Sequence, residues 1–184
     1  MKKISYNAPL TLTFSLLSVM ALLLNYFTSG QSNMLFFSVY RSSVNDPAFF
    51  VRLFGHVLGH AGWEHLMGNL LLILILGPML EEKHGTSRLS IMFITTALIT
   101  GILNIILFEH ILLGASGIVF MLIILSSFTN NGHKSEIPLT MIIVVMLYIG
   151  REVAASFLIT DNISRITHIT GGFIGAWFGF KFSR

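Results

Sequence analysis

The chain of 184 residues is 54% hydrophobic and only 10% charged, carries a net charge of +3 and contains no cysteine; its mean hydropathy is +0.80. That balance lies outside the composition of soluble domains and marks an integral membrane protein. The missing thiols exclude disulfides, thiolate metal sites and a cysteine nucleophile, and the modest positive charge suits contact with a bilayer carrying anionic lipid while giving no reason to invoke nucleic acid.

A helix needs roughly 20 apolar residues to cross a bilayer core of about 30 Å. Six stretches approach that length and are predicted to span, at residues 10–27, 66–80, 89–108, 114–128, 138–157 and 166–180. The first follows Met1-Lys2-Lys3 but has no small-residue cleavage site before Phe27, so it reads as a helix and not as a removable signal. Six spans nearly exhaust the chain, which predicts one all-α membrane domain over residues 1–184. Residues 28–63 are too polar to span, yet they include Met34-Leu35-Phe36-Phe37 and Phe49-Phe50-Val51-Arg52-Leu53-Phe54, a mixture suited to a compact interfacial loop. Residues 81–87 and 129–137 read as polar turns, and Pro138 fits a first helical position.

Six alternating spans put Lys2, Lys3, Lys83, Arg88, Lys134, Lys181 and Arg184 on one side and Arg41, Arg52, Arg151 and Arg165 on the other. All the lysines share the first side, which the positive-inside rule assigns to the cytoplasm together with both termini.

Polar groups inside a membrane helix are costly and are functional candidates. His65 and Asn69 open the second predicted span, Ser116 the fourth and His168 the sixth, and alternation brings all four to one depth just below the outer surface. His65 and Asn69 are four residues apart and project from one helix face. Ser116 falls in a first helical turn, where free N–H groups and the dipole favour developing negative charge. His168 precedes Gly171, Gly175 and Gly179, a four-residue spacing that lets another helix approach closely. Acyl transfer requires a nucleophile, a base and oxyanion donors. Ser116, His168, and His65 with Asn69 fill those roles in that order, with the Ser116 N–H as a further donor. Asp161 precedes His168 in a loop, but no acid is evidently placed to orient the histidine, which favours a dyad.

Plainer readings exist for each residue. Serines in membrane helices usually bond back to the preceding turn, and Asn69 could simply join helices. His56, His60 and His65 invite a zinc site, but the five-residue step from His60 to His65 turns a helix by about 500° and separates their faces, and the spacing misses the inverted zinc-protease motif; no metal or other cofactor is expected. His84, His110 and His133 read as solvated, Glu81 as a cap or tie at the inner end of the second span, and Arg151 with Glu152 as a local ion pair or as interfacial anchors.

These residues resemble the rhomboid intramembrane serine proteases. The matching pieces are Arg52, then His56-Val57-Leu58-Gly59-His60-Ala61-Gly62-Trp63-Glu64-His65-Leu66-Met67-Gly68-Asn69, then Gly77-Pro78-Met79-Leu80-Glu81 with Gly85, then Gly114-Ala115-Ser116-Gly117, and last His168-Ile169-Thr170-Gly171 with Gly175. The likeness covers about residues 52–180 and is similar to the minimal six-helix bacterial type. It implies a six-transmembrane-helix rhomboid-like bundle in a cell membrane, with a long interfacial loop between the first two helices. It also implies Ser116 as nucleophile, His168 as general base, His65 and Asn69 at the oxyanion hole, and His60 as a structural histidine. The implied substrates are transmembrane proteins, entering between the second and fifth helices and cut near their outer ends. Two departures stand out: Val51 where the family often has tryptophan, and Phe120 where it often has a tyrosine stacked on the catalytic histidine. Phe120 keeps the ring. A transporter, whose polar groups would be spread through the bilayer, and an inactive rhomboid-like binder of membrane helices are the rival functions.

Overall fold

The computed structural model describes residues 5–128 and 162–182, together with Leu139, Ile142, Ile143 and Met146, and side chains of the last helix from Ile166 onward. The helices of the two continuous stretches are α1 (Pro9–Phe27), α2 (Gln31–Leu35), α3 (Pro47–Gly55), α4 (Trp63–His84), α5 (Thr86–Leu107), α6 (Ser116–Ser126) and α7 (Asn162–Phe182). The predicted spans at 10–27, 66–80, 89–108, 114–128 and 166–180 thus coincide with helices. Of the predicted span at 138–157 only Leu139, Ile142, Ile143 and Met146 are described, all helical and exposed; Arg151, Glu152 and the loop residues His133, Lys134 and Asp161 fall outside the described residues. Among the described residues α1, α4 and α5 are long and apolar enough to cross a membrane.

The centre of the bundle is α6. It has 11 residues, about 17 Å of helix, too little to cross a hydrocarbon core alone. Its sequence is apolar all round, and Ile118, Val119, Met121, Leu122 and Leu125 are buried in a core shared with Phe14, Leu80, Leu89, Met92 and Phe178. A helix without a polar face is stable only when surrounded. The ring around it leaves large hydrophobics such as Leu71, Ile75, Ile91, Phe173 and Trp177 exposed, the outward surface that a bilayer requires.

Against α6 lies α7, running parallel to it. A methyl group at Gly171 would collide with the Gly117 carbonyl, one at Gly175 with the Met121 carbonyl, and one at Gly179 with the Phe128 ring. In lipid no hydrophobic force drives helices together, so close backbone packing on small residues carries the association.

Antiparallel to α4, α1 is pinned at its N-terminus. The Glu81 carboxylate accepts from the Leu10 N–H at 2.8 Å, the Thr11 N–H at 3.0 Å, the Thr11 hydroxyl at 2.8 Å and the Thr86 hydroxyl at 2.9 Å. The expected tie near the C-terminal end of α4 is therefore a helix cap supplied from another helix. It satisfies first-turn N–H groups that the N-cap residue, Ala8, leaves without a side-chain acceptor.

The segment between α1 and α4 is folded by specific contacts. Pro47 starts α3 behind the Asp46 cap, whose carboxylate accepts from the Ala48 N–H at 3.0 Å and pairs with the Arg52 guanidinium at 2.6 Å. That guanidinium is buried, bonds the Ser42 hydroxyl at 2.9 Å and lies 4.7 Å from the centre of the Tyr40 ring. It holds the Asp46 carboxyl below the ordinary carboxylate range. His56 is 1% exposed between α3 and α5, 3.3 Å from both the Arg52 carbonyl and the Thr100 hydroxyl. Burial lowers it to about 4, and the equally buried His60 is lowered to about 4 by the same cause.

Glu81→Ala strands N–H and hydroxyl donors inside the bundle and should destabilise the protein by about 2–4 kcal/mol; thermal unfolding in detergent checks this, and an unchanged transition would refute the cap. Because the unfolded chain binds protons on His56 and His60 at pH values where the native protein does not, stability is full above about pH 6.5 and falls on acidification. Between neutrality and about pH 4.5 each histidine should remove on the order of 2 kcal/mol, a loss that His56→Gln should reduce in a pH series of unfolding midpoints.

Candidate active site

Ser116 is the first residue of α6, half-buried, behind Ala115 as N-cap. The first intrahelical bond runs from the Val119 N–H to the Ala115 carbonyl at 3.0 Å. The Ser116 and Gly117 N–H groups precede it, at the positive end of the helix dipole.

The chain reaches Ser116 through Gly114, whose φ is +125°. Side-chain-bearing residues rarely adopt that backbone, and space forbids one as well. A Cβ there would lie 2.8 Å from Cε1 and Nε2 of His65 and 4.0 Å from Nδ2 of Asn69. The turn into α6 thus runs directly over the α4 face that carries His65 and Asn69. The four-residue spacing predicted one target for both, and the target is this turn.

A third residue orients Asn69. His60 Nδ1 lies 3.1 Å from the Leu58 carbonyl, which can only accept, so Nδ1 carries the hydrogen and Nε2 offers a lone pair. Asn69 Nδ2 donates to that lone pair at 3.1 Å. The bond requires neutral His60, in keeping with its lowered proton affinity. The amide retains a second N–H, and the His60 and His65 rings meet edge to face at 5.0 Å between centroids.

On the other side stands α7. Sequence patterning put His168 at the opening of a span, but α7 starts at Asn162, so the histidine lies six residues in, about 9 Å below the helix start. This brings it about level with the start of α6, because Gly171, three residues on, lies against Gly117. Its ring packs on Phe120 with centroids 4.3 Å apart and planes at 40°. Phe120 is one turn after Ser116, so the two share a face of α6. His65 and His168 are near enough for their charges to interact, and Thr167 packs against Gly117, whose added Cβ would meet Thr167 Cγ2 at 3.2 Å.

One anchor escaped the reading of the sequence. Asn104, 2% exposed near the end of α5, donates to the Val39 carbonyl at 3.2 Å and the His110 carbonyl at 3.0 Å. Val39 and Leu112 exchange backbone bonds at 2.9 Å, and the Gly114 N–H donates to the His56 carbonyl at 2.9 Å. The interfacial segment is therefore stitched to the turn that delivers Ser116. A lone asparagine in an apolar run is the same signal that singled out Asn69. Arg52 and Glu81 lie in the folding locks described above. His110 is exposed as expected, whereas His84 is partly enclosed, with its Nε2 buried. A hydroxyl at a helix start, two imidazoles and a primary amide are the group types that acyl transfer uses.

Comparison with known proteins places the chain in a family. A family model described as the Rhomboid domain matches residues 47–184. The chain is 31% identical over 144 residues to Rhomboid-related protein 2 of Mus musculus, a match covering 70% of this chain and 47% of that protein. It is 29% identical over 140 residues to Rhomboid-related protein 1 of Caenorhabditis elegans, covering 70% and 39%. To RHOMBOID-like protein 5 of Arabidopsis thaliana it is 26% identical over 134 residues, covering 70% and 43%. The chain thus spans less than half the length of these relatives. With most of its length matched by the family's domain, including every residue of the site from Arg52 onward, the chain belongs to the rhomboid family.

Proposed function

We propose that this chain is an intramembrane serine endopeptidase that hydrolyses peptide bonds in or near the transmembrane segments of other membrane proteins. In this reading the bundle has six spans, both termini are cytoplasmic and the site opens near the outer face. The observation that carries the proposal is the seating of the His168 ring on Phe120, one turn from Ser116, across the glycine contact between α6 and α7. The serine proteases of the same family supply the chemistry.

Ser116 Oγ attacks the carbonyl carbon of the scissile bond while His168 takes its proton. The carbonyl oxygen becomes an oxyanion, which the Ser116 N–H, His65 and the remaining N–H of Asn69 stabilise. Collapse expels the amine, which receives the proton from His168. Water, deprotonated by the same imidazole, then attacks the acyl-enzyme and releases Ser116. His60 acts only through Asn69, as a positioning residue. The inactive-relative reading keeps the fold and lacks this turnover.

A serine-directed fluorophosphonate probe applied to the detergent-solubilised protein should label the wild type and leave Ser116→Ala unlabelled, with His168→Ala labelled far more slowly. No labelling of the wild type, or equal labelling of Ser116→Ala, would defeat the proposal. Asn69→Ala should lower kcat by roughly a hundredfold, the usual cost of one oxyanion donor, with a smaller change in KM; steady-state cleavage of a reconstituted transmembrane substrate measures both.

A further inference from the structure

The end of the bundle remote from Ser116 gathers cations that the proposed chemistry does not use. α4 ends there in Lys83 and His84, α5 begins there with Arg88 in its first turn, and α7 ends there with Lys181 and Phe182. One aromatic ring organises them. The Arg88 guanidinium carbon lies 5.3 Å from the Phe182 ring centre, Lys181 Nζ 5.7 Å from it, and the His84 ring 6.3 Å from it. His84 is within electrostatic reach of both Lys83 and Arg88, and its Nε2 is buried with no hydrogen-bond partner. Lys83 Nζ donates to the Phe128 carbonyl at 3.1 Å, which holds its charge at the α6 end. Among the described residues neither Arg88 nor Lys181 forms a salt bridge with a carboxylate. Positive charges crowded around one ring repel each other, and a bound anion would relieve that repulsion.

The surface leading away from this cluster identifies the kind of anion. Lys181 Nζ lies 4.9 Å from the Trp177 ring centre, and Trp177 and Phe173, one turn apart on α7, are 55% and 73% exposed. Phe180 beside them is 52% exposed. A polar anion site therefore opens onto a continuous apolar strip that faces lipid. That combination fits an amphiphile, with a phosphate head among the cations and an acyl chain along the strip, better than a free phosphate ion. We propose that Lys83, His84, Arg88 and Lys181 around Phe182 form a binding site for the phosphodiester headgroup of an anionic phospholipid, whose chain lies against Trp177 and Phe173. The site is at the opposite end of the molecule from Ser116, and its occupancy is independent of the proteolytic reading.

Trp177 is a built-in reporter, because Trp63 is the only other tryptophan. The Trp63→Phe protein is reconstituted in phosphatidylcholine vesicles containing a minor fraction of brominated phosphatidylglycerol or, separately, brominated phosphatidylcholine. Quenching of Trp177 then gives the relative affinity of the two lipids for the site. Each Lys or Arg near an anionic headgroup contributes a factor of about five. The preference for phosphatidylglycerol should therefore exceed about tenfold and fall by roughly an order of magnitude or more in Arg88→Gln/Lys181→Gln, which removes two of those factors. Circular dichroism and the melting temperature in pure phosphatidylcholine verify the fold of that variant. The charge-conserving pair Arg88→Lys/Lys181→Arg should keep the preference. Equal quenching by the two lipids, undiminished survival of the preference in the neutralised variant, or its loss in the charge-conserving one would overturn the proposal. Inorganic phosphate at matched ionic strength should leave the preference intact, and its abolition would reassign the site to a soluble phosphate.

Discussion

The site depends first on a contact between two backbones. Gly171 and Gly175 of α7 lie on the carbonyls of Gly117 and Met121 in α6, with no room for a Cβ between them. In a bilayer the hydrophobic effect does not favour helix–helix contact over helix–lipid contact, so such a pair is held by dispersion and packing alone and must be close to be strong. That closeness also fixes where His168 stands. A bulkier stripe would push α7 outward and carry the imidazole away from Phe120 and the start of α6.

A short central helix sets the depth. Gly114 lies against His65 and Asn69 and Gly117 against Thr100, so Ser116 starts inside the ends of α4 and α5, and His168 reaches that level from well inside α7. Polar chemistry in such a place needs a lid of satisfied backbone, since bare N–H and C=O groups at membrane depth are expensive. The interfacial segment supplies that lid. Arg52 ties it to the α3 cap, His56 ties it to α5, and the bridge between Val39 and Leu112 ties it to the turn above Ser116. His60 extends the same structure into the site through Asn69. At the other end of the bundle Glu81 closes α1 onto α4 and α5. The α4 helix and the turn into α6 are therefore tied to their surroundings, which favours pre-organisation of a site built from four separate segments.

The two ends of the molecule are chemically unlike. A hydroxyl, imidazoles and an amide surround the start of α6, whereas cations and aromatic faces surround its far end. α7 contributes to both, with His168 at one end and Lys181 and Phe182 at the other. Its lipid-facing side, with Phe173 and Trp177, connects them.

Much of this was legible in the sequence because it is local. Hydropathy over a span-length window located the helices, a four-residue step put His65 and Asn69 on one face, and the glycine spacing announced a close neighbour for α7. The residue partners were not legible, since partnership is a property of positions far apart in the chain. Nothing near Glu81 indicates that it caps a helix 71 residues earlier, and nothing near Asn104 indicates that it holds Val39. Nor could a hydropathy window show that α7 extends outward to Asn162 and leaves His168 sunk within it, because the polar first turn lowers the very signal that marks a span. The sequence alone determined which residues had to leave water and which small residues allowed contact, both of which follow from transfer energies and side-chain size. Only the tertiary structure decided which groups meet, because each polar atom removed from water takes the partner that the packing of distant helices brings within bonding distance.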